Sequence, residues 1–563
     1  MNPAIDRRTM LRTAAGGAAA AWLPAWAQPA AGGIVRDLAV VSGPDITLRI
    51  ARQTLTMDGR VTRAIGINGH APAPLIRLRE GEDVTITVVN DLDEDTSLHW
   101  HGLLVPAEYD GVPGVSFPGI PPGGRFVYRF KVRQAGTYWY HSHSGLQEQL
   151  GLYGPIVIDP ASADRIAFDR EHVVMLSDHS ASAPEAIFRR MKLASGYYDR
   201  QKQTLGGLLG ARDQPLAERM RWGAIRMSPT DIADATAAAY TYLVNGHGPR
   251  DNWTALFTPG ERVRLRIVNA SAMTTFNVRI PGLAMTIVQA DGLNVRPVTV
   301  DEFQIGVAET YDVVVIPSED SAYTLVGESI DRSGMARATL APRAGMAAAV
   351  PSLRRRPLAT MKDMGMGAMA HDMPGMDHAM TMRDFANAPS VPKSAGVQTI
   401  APMPVDRTGE PGQGLADVGH RVLTYRDLIA VERNPDVRAP GRALTIHLTG
   451  NMERFMWSFD GVKMSDTMAP FAFVEGERVR VTLVNDTMMG HPIHLHGHYF
   501  ELVTGHGDHA PRKHTVMVQP GGTVTFDLTA DAVGDWAFHC HMLYHMQAGM
   551  MRVVSVRPKA HAA

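Results

Sequence analysis

Eleven residues of this chain have the types and spacing that metal chemistry requires. Histidines two apart occur at His99/His101, His141/His143, His494/His496 and His539/His541, and the only cysteine, Cys540, stands inside the last pair. On a β-strand, residues two apart face the same side, so each pair can aim two imidazoles at one point while Cys540 faces the other way. A metal on the thiolate is then separate from metals on the flanking imidazoles, yet joined to them by a few covalent bonds. That is the wiring needed to pass electrons from one metal to others. A cysteine thiolate, two histidines and a weak axial methionine form the trigonal set of a blue copper centre. Here the candidates are Cys540, His491, His545 and Met550. Zinc competes for Cys/His sites, but it favours more thiolates or a closed tetrahedral set and cannot change oxidation state.

The elements that must carry these residues show as a repeat. Gly81-Glu82-Asp83 precedes VTITVVND, Gly260-Glu261-Arg262 precedes VRLRIVNA, and Gly476-Glu477-Arg478 precedes VRVTLVND. Each is a turn followed by an alternating apolar and polar strand. The first and third copies stay in register beyond it, since 18 positions separate Val84 from Gly102, closing HWHG, and Val479 from Gly497, closing HLHG. The middle copy has Val278-Arg279-Ile280-Pro281-Gly282 where the histidine pair should be, so it is expected to space or cover the other two. Strand patterns with Gly/Pro turns dominate after residue 45, and few stretches carry a helical period, which argues for an all-β chain.

The 563 residues allow three to four domains. Lys plus Arg total 55 against 57 for Asp plus Glu, so no basic footprint for nucleic acid exists. No apolar run is long enough to span a bilayer. The start, Asp6-Arg7-Arg8-Thr9-Met10-Leu11, an Ala/Gly-rich stretch and Ala25-Trp26-Ala27 read as a twin-arginine signal over residues 1–27, implying periplasmic export in the folded state. A lone cysteine in an exported chain cannot be an intrachain disulfide.

The runs HWHG, HSH, HPIHLHG and HCHMLYHMQAGM resemble the four copper motifs of three-domain multicopper oxidases, over about residues 45 to 558. DGVPGVSFPGIPPG, GTYWYHSHSGLQEQLGLYGPIVIDP and RWGAIRMSPTDIAD more narrowly resemble the exported copper-resistance oxidases of the CopA type. The resemblance implies three cupredoxin-like Greek-key β-sandwich domains, at 45–160, 165–345 (without ligands) and 421–558, while residues 346–420, which lose the strand pattern and are rich in Ala, Pro, Gly and Met, read as a Met-rich linker. The resemblance also implies four copper ions. His491, Cys540, His545 and Met550 would bind type 1 copper, and His99 and His494 type 2 copper. His101, His141 and His541 would hold one type 3 copper, and His143, His496 and His539 the other. A reductant gives single electrons at type 1 copper and O2 takes four at the cluster, with Asp110 as a candidate proton relay.

Two places could take cuprous ion as the electron donor. Residues 361 to 382 hold eight methionines and two histidines, among them Met364, Met366, Met369, His371, Met373, Met376 and His378, and thioethers are soft ligands suited to Cu(I). Asp486, Met488 and Met489 lie just before His491. The expected function is therefore a cuprous oxidase serving copper resistance. A laccase-like oxidase of small aromatic reductants, and a copper-sequestering protein with little turnover, are the alternatives. Other copper-handling proteins are expected partners on the resemblance alone.

Overall fold

The computed structural model describes residues 33–366, 382–466 and 469–559. The expected signal at 1–27 lies outside them, as do Met369, His371, Met373, Met376 and His378. Six β-sheets, two in each third of the chain, make up the described part. In the first third, a sheet of Val40–Ser42, Leu75–Arg79, Tyr153–Asp159, Gly136–His141 and His99–His101 accompanies one of Arg60–Ile67, Asp45–Met57, Asp83–Asn90 and Arg125–Lys131. The last third repeats the plan, with His491–Leu495 and Gly534–Cys540 adjacent in a five-stranded sheet. Neighbouring strands are mostly not consecutive in the chain, which is the Greek-key signature. The all-β, three-sandwich architecture is the one observed.

Alternation explains the outer copies. In Asp83–Asn90, Val84, Ile86 and Val88 are buried while Thr85 and Thr87 reach the surface in part. In the middle copy every residue of Val263–Asn269 is buried. Its second face lies against the first domain, where Arg266 donates to Thr137 Oγ1 at 2.9 Å. Buried guanidinium groups need partners. Arg264 and Arg266 find them in Asp312, Asp164 and Glu171.

Helices are few and short. Pro184–Leu193 begins with proline at its first position and buries Ile187 and Met191, one turn apart, in the core shared by the second and third domains. Its Phe188 ring stacks on Tyr544, next to His545. The described parts of the 346–420 stretch are strapped to the sandwiches. Arg354 pairs with buried Glu302 and Glu328, Arg407 with Asp363, and Val405–Asp406 adds to the strand Gly522–Thr529.

Candidate metal centres

Register brings the histidine pairs together. His99 lies opposite His141 across one strand pair, and His494 opposite His539 across the corresponding pair of the third domain. The first and third domains present these edges to each other, and eight imidazoles meet between them. His496 Nε2 is 3.0 Å from His539 Nε2, which is 3.4 Å from His143 Nε2. The rings of His101 and His141 each lie 4.9 Å from that of His541, and His99 and His494 are 5.8 Å apart.

The far ring nitrogens are tied to oxygens. His99 Nδ1 donates to Asp110 O at 2.8 Å, His494 Nδ1 to His514 O at 2.7 Å, and His539 Nδ1 to Cys540 O at 3.0 Å. Carbonyls only accept, so these tautomers carry the proton on Nδ1 and leave Nε2 bare. His101 is reversed, with Nε2 3.2 Å from Thr515 Oγ1. Inside the cluster, His99 Nε2, His101 Nδ1, His141 Nε2, His494 Nε2 and both nitrogens of His541 are buried without any partner. Buried polar atoms are nearly always satisfied, and these convergent bare nitrogens form a donor set that a metal would satisfy. Burial, reinforced by neighbouring imidazoles, holds His101, His141, His143, His494, His496 and His541 well below histidine's ordinary pKa, and burial lowers His539 to about 4. Neutral imidazoles are the metal-binding form.

Cys540 points away from this cluster, as alternation requires. Its Sγ lies 3.6 Å from His491 Nδ1 and 3.8 Å from His545 Nδ1, which are 3.2 Å from each other. A point equidistant from the three atoms is about 2 Å from each, the length of a metal–imidazole bond. Met550 is fully buried beside this site, its backbone O accepting from Cys540 N at 3.1 Å. Burial pushes the Cys540 thiol well up and His545 down to about 3, so a thiolate forms there only beside a cation. The donor set of one thiolate, two imidazoles and a thioether fits copper, and the eight-imidazole cluster fits more of it.

Asp110 lies at the cluster. Its Oδ2 accepts from His496 Nδ1 at 2.8 Å, and its Oδ1 is 3.3 Å from His99 Nδ1. Asp486, Met488 and Met489 are arranged differently from an open copper port. All three are buried, and Asp486 is engaged by His447 Nδ1 at 2.8 Å and Ala401 N at 2.9 Å. Met364 is buried and Met366 packs against the same core, so the described flank of the Met-rich stretch is held in place.

Several neighbours escape a sequence reading. Asp234, from the middle domain, accepts from His545 Nε2 at 2.6 Å, and burial raises its carboxyl to about 8. Thr487 Oγ1 meets His491 Nε2 at 2.8 Å, Trp457 stacks on His545 with centroids 3.9 Å apart, and Glu148 Oε2 lies 2.8 Å from His141 Nδ1. Asp234 and Glu148 sit inside the runs RWGAIRMSPTDIAD and HSHSGLQEQLG, which was the only signal available.

Comparison with known proteins agrees with this geometry. Family models described as Multicopper oxidase match residues 49–163, 223–350 and 438–560. The chain is 48% identical to the "Copper resistance protein A homolog" of Pseudomonas syringae pv. tomato, covering 95% of each chain. It is 47% identical to "Copper resistance protein A" of Escherichia coli, covering 98% of this chain and 99% of that one. The crystal structure of a laccase from Botrytis aclada shares the fold, with a TM-score of 0.62 at 21% identity over 92% of this chain and 88% of that one.

Proposed function

The chain belongs to the multicopper oxidases, close to the copper resistance protein A group, and on that premise we propose a periplasmic cuprous oxidase in which each copper has assigned ligands. His491, Cys540, His545 and Met550 hold type 1 copper. His99 and His494 hold type 2 copper, His101, His141 and His541 one type 3 copper, and His143, His496 and His539 its partner. The observation that carries this reading is the convergence of eight buried imidazoles whose free nitrogens face one volume, next to a separate thiolate pocket on the same strand. Copper bound there would supply one-electron oxidation of a donor at the thiolate and four-electron reduction of O2 to water at the histidines.

The chain's own residues do the rest. His539 and His541 flank Cys540 in the backbone, which supports a short covalent path from the sulfur to both halves of the cluster. Asp110, touching His496 and His99, orients both rings and is placed to hold a proton beside them. Asp234 and Thr487 fix the outer nitrogens of His545 and His491, and Met550 with the apolar wall keeps water from the thiolate.

A small cationic donor suits this pocket better than a phenol. His545 is fully buried, its Nε2 is capped by Asp234, and Trp457 covers its ring, so an aromatic substrate has no open edge to dock on. Cuprous ion, a small soft cation, needs no such docking edge. Met-rich residues 361 to 382 and the twin-arginine start add support for periplasmic copper detoxification. Oxygen uptake with Cu(I) and with a phenol, for the full chain and for one lacking residues 367 to 381, tests the reading. Uptake should be fast with Cu(I) and lowered by the deletion. Fast phenol oxidation unaffected by the deletion overturns it in favour of a laccase.

A further inference from the structure

Resting on that reading of the histidine cluster, we propose that Glu148 is the positioning residue that makes His141 a copper ligand. His141 Nδ1 faces two acceptors, Ser142 O at 3.1 Å and Glu148 Oε2 at 2.8 Å. Because a carbonyl cannot donate, the proton sits on Nδ1 and the bare Nε2 is the buried, partnerless nitrogen turned into the cluster.

Glu148 is buried against the His141 ring edge. It is 3% exposed, and among the described residues its only ion-pair partner is His141. Its second oxygen, Oε1, is buried without a partner. Asp178, of the same sign, acts on it electrostatically. A buried carboxylate so placed is costly unless positive charge stands close by. A copper ion held by His141 Nε2 would supply that charge through the imidazole.

The surroundings hold Glu148 in position. It begins the helical turn Glu148–Leu150, between two glutamines tied in opposite directions. Gln147 accepts from Thr96 Oγ1 at 2.7 Å and Ser142 Oγ at 2.8 Å, tying the turn to the first histidine motifs. Gln149 donates to Asp178 O at 3.2 Å and accepts from Tyr240 OH at 2.7 Å, tying it to the middle domain. Trp139 stacks on His141 with centroids 4.2 Å apart and 16° between planes, so the ring is clamped on its face as well as at its edge. Glu148 thus stands to His141 as Asp110 does to His496 and Asp234 to His545. Removing such an outer partner typically weakens metal binding by about 10–100-fold.

The experiment compares the full chain loaded with copper, wild type against Glu148→Gln and Glu148→Leu, by chelator competition, total copper and the colour of the thiolate centre. Glu148→Leu should release one copper about 10–100-fold more readily while the blue colour stays at wild-type intensity. Glu148→Gln keeps an acceptor for Nδ1–H and should retain copper better than Glu148→Leu. Copper retention equal to wild type in Glu148→Leu overturns the proposal, as does loss of colour and cluster copper together. A wild type that binds no copper at the histidines would instead overturn the oxidase reading itself.

Discussion

At the scale of single residues, the chemistry turns on which nitrogen each imidazole leaves free. Carbonyl oxygens of Asp110, His514 and Cys540 take the Nδ1 protons of His99, His494 and His539, while Thr515 turns His101 the other way. Ligand identity was legible in four short motifs. Outer partners were not where they lie far along the chain: Asp110 meets His496 across 386 positions and Asp234 meets His545 across 311. Asp234 belongs to a domain without ligands, and the run RWGAIRMSPTDIAD that ends on it marked a family likeness without showing a role. Asp234→Leu removes the acceptor that holds His545 Nε2–H. Stopped-flow reduction of the thiolate centre by Cu(I) should slow by about 10–100-fold, with the copper content of the histidine cluster unchanged. An unaltered rate would reduce Asp234 to packing.

Elements deliver these residues through register and through two glycines that close the HWHG and HLHG motifs. Gly102 and Gly497 adopt φ of +83° and +67°. A side chain on Gly102 would strike the His514 ring, and one on Gly497 would come within 2.4 Å of Trp536. The glycines heading the repeats, Gly81, Gly260 and Gly476, also have positive φ but open space around them. Sequence showed both sets as equivalent motif glycines. Only the fold separates a turn requirement from a packing one. Gly476→Ala should cost about 1 kcal/mol of strain, and Gly497→Ala about 1–3 kcal/mol more for overpacking. Thermal unfolding checks this, with a midpoint several degrees lower for Gly497→Ala than for Gly476→Ala. Equal midpoints would contradict the packing account. The repeats and the strand alternation of the outer domains were readable for the same reason: each has one solvated face. The middle domain's strand Val263–Asn269 is covered on both, and its two buried arginines read as surface residues until their carboxylates are seen.

In the whole molecule, two outer domains supply every proposed copper ligand, while the middle domain supplies outer partners such as Asp234. Among the described residues no helix is long and apolar enough to cross a membrane. Burying so many neutral imidazoles ties stability to pH. Burial lowers His545 to about 3, and His539 and His514 to about 4, from an ordinary value of 6.5. Depressed histidines contribute stability above pH 6.5 and lose it as pH falls toward their folded values. Asp231 and Asp234, raised by burial to about 7 and about 8, act oppositely, losing their contribution as pH rises from about 4. The histidines outnumber them. Copper-stripped protein should therefore unfold at progressively lower temperature between pH 6.5 and 4, and copper-loaded protein should fall more steeply because protonation also releases metal. A flat profile in both would contradict the buried neutral cluster.

Metal content and colour of the purified chain, compared between wild type and Cys540→Ser, test the central claim most directly. Expected are a blue wild type with about four copper ions per chain and a colourless variant that has lost only the thiolate-bound one. A colourless wild type carrying zinc, or a variant that keeps its blue colour, would contradict it.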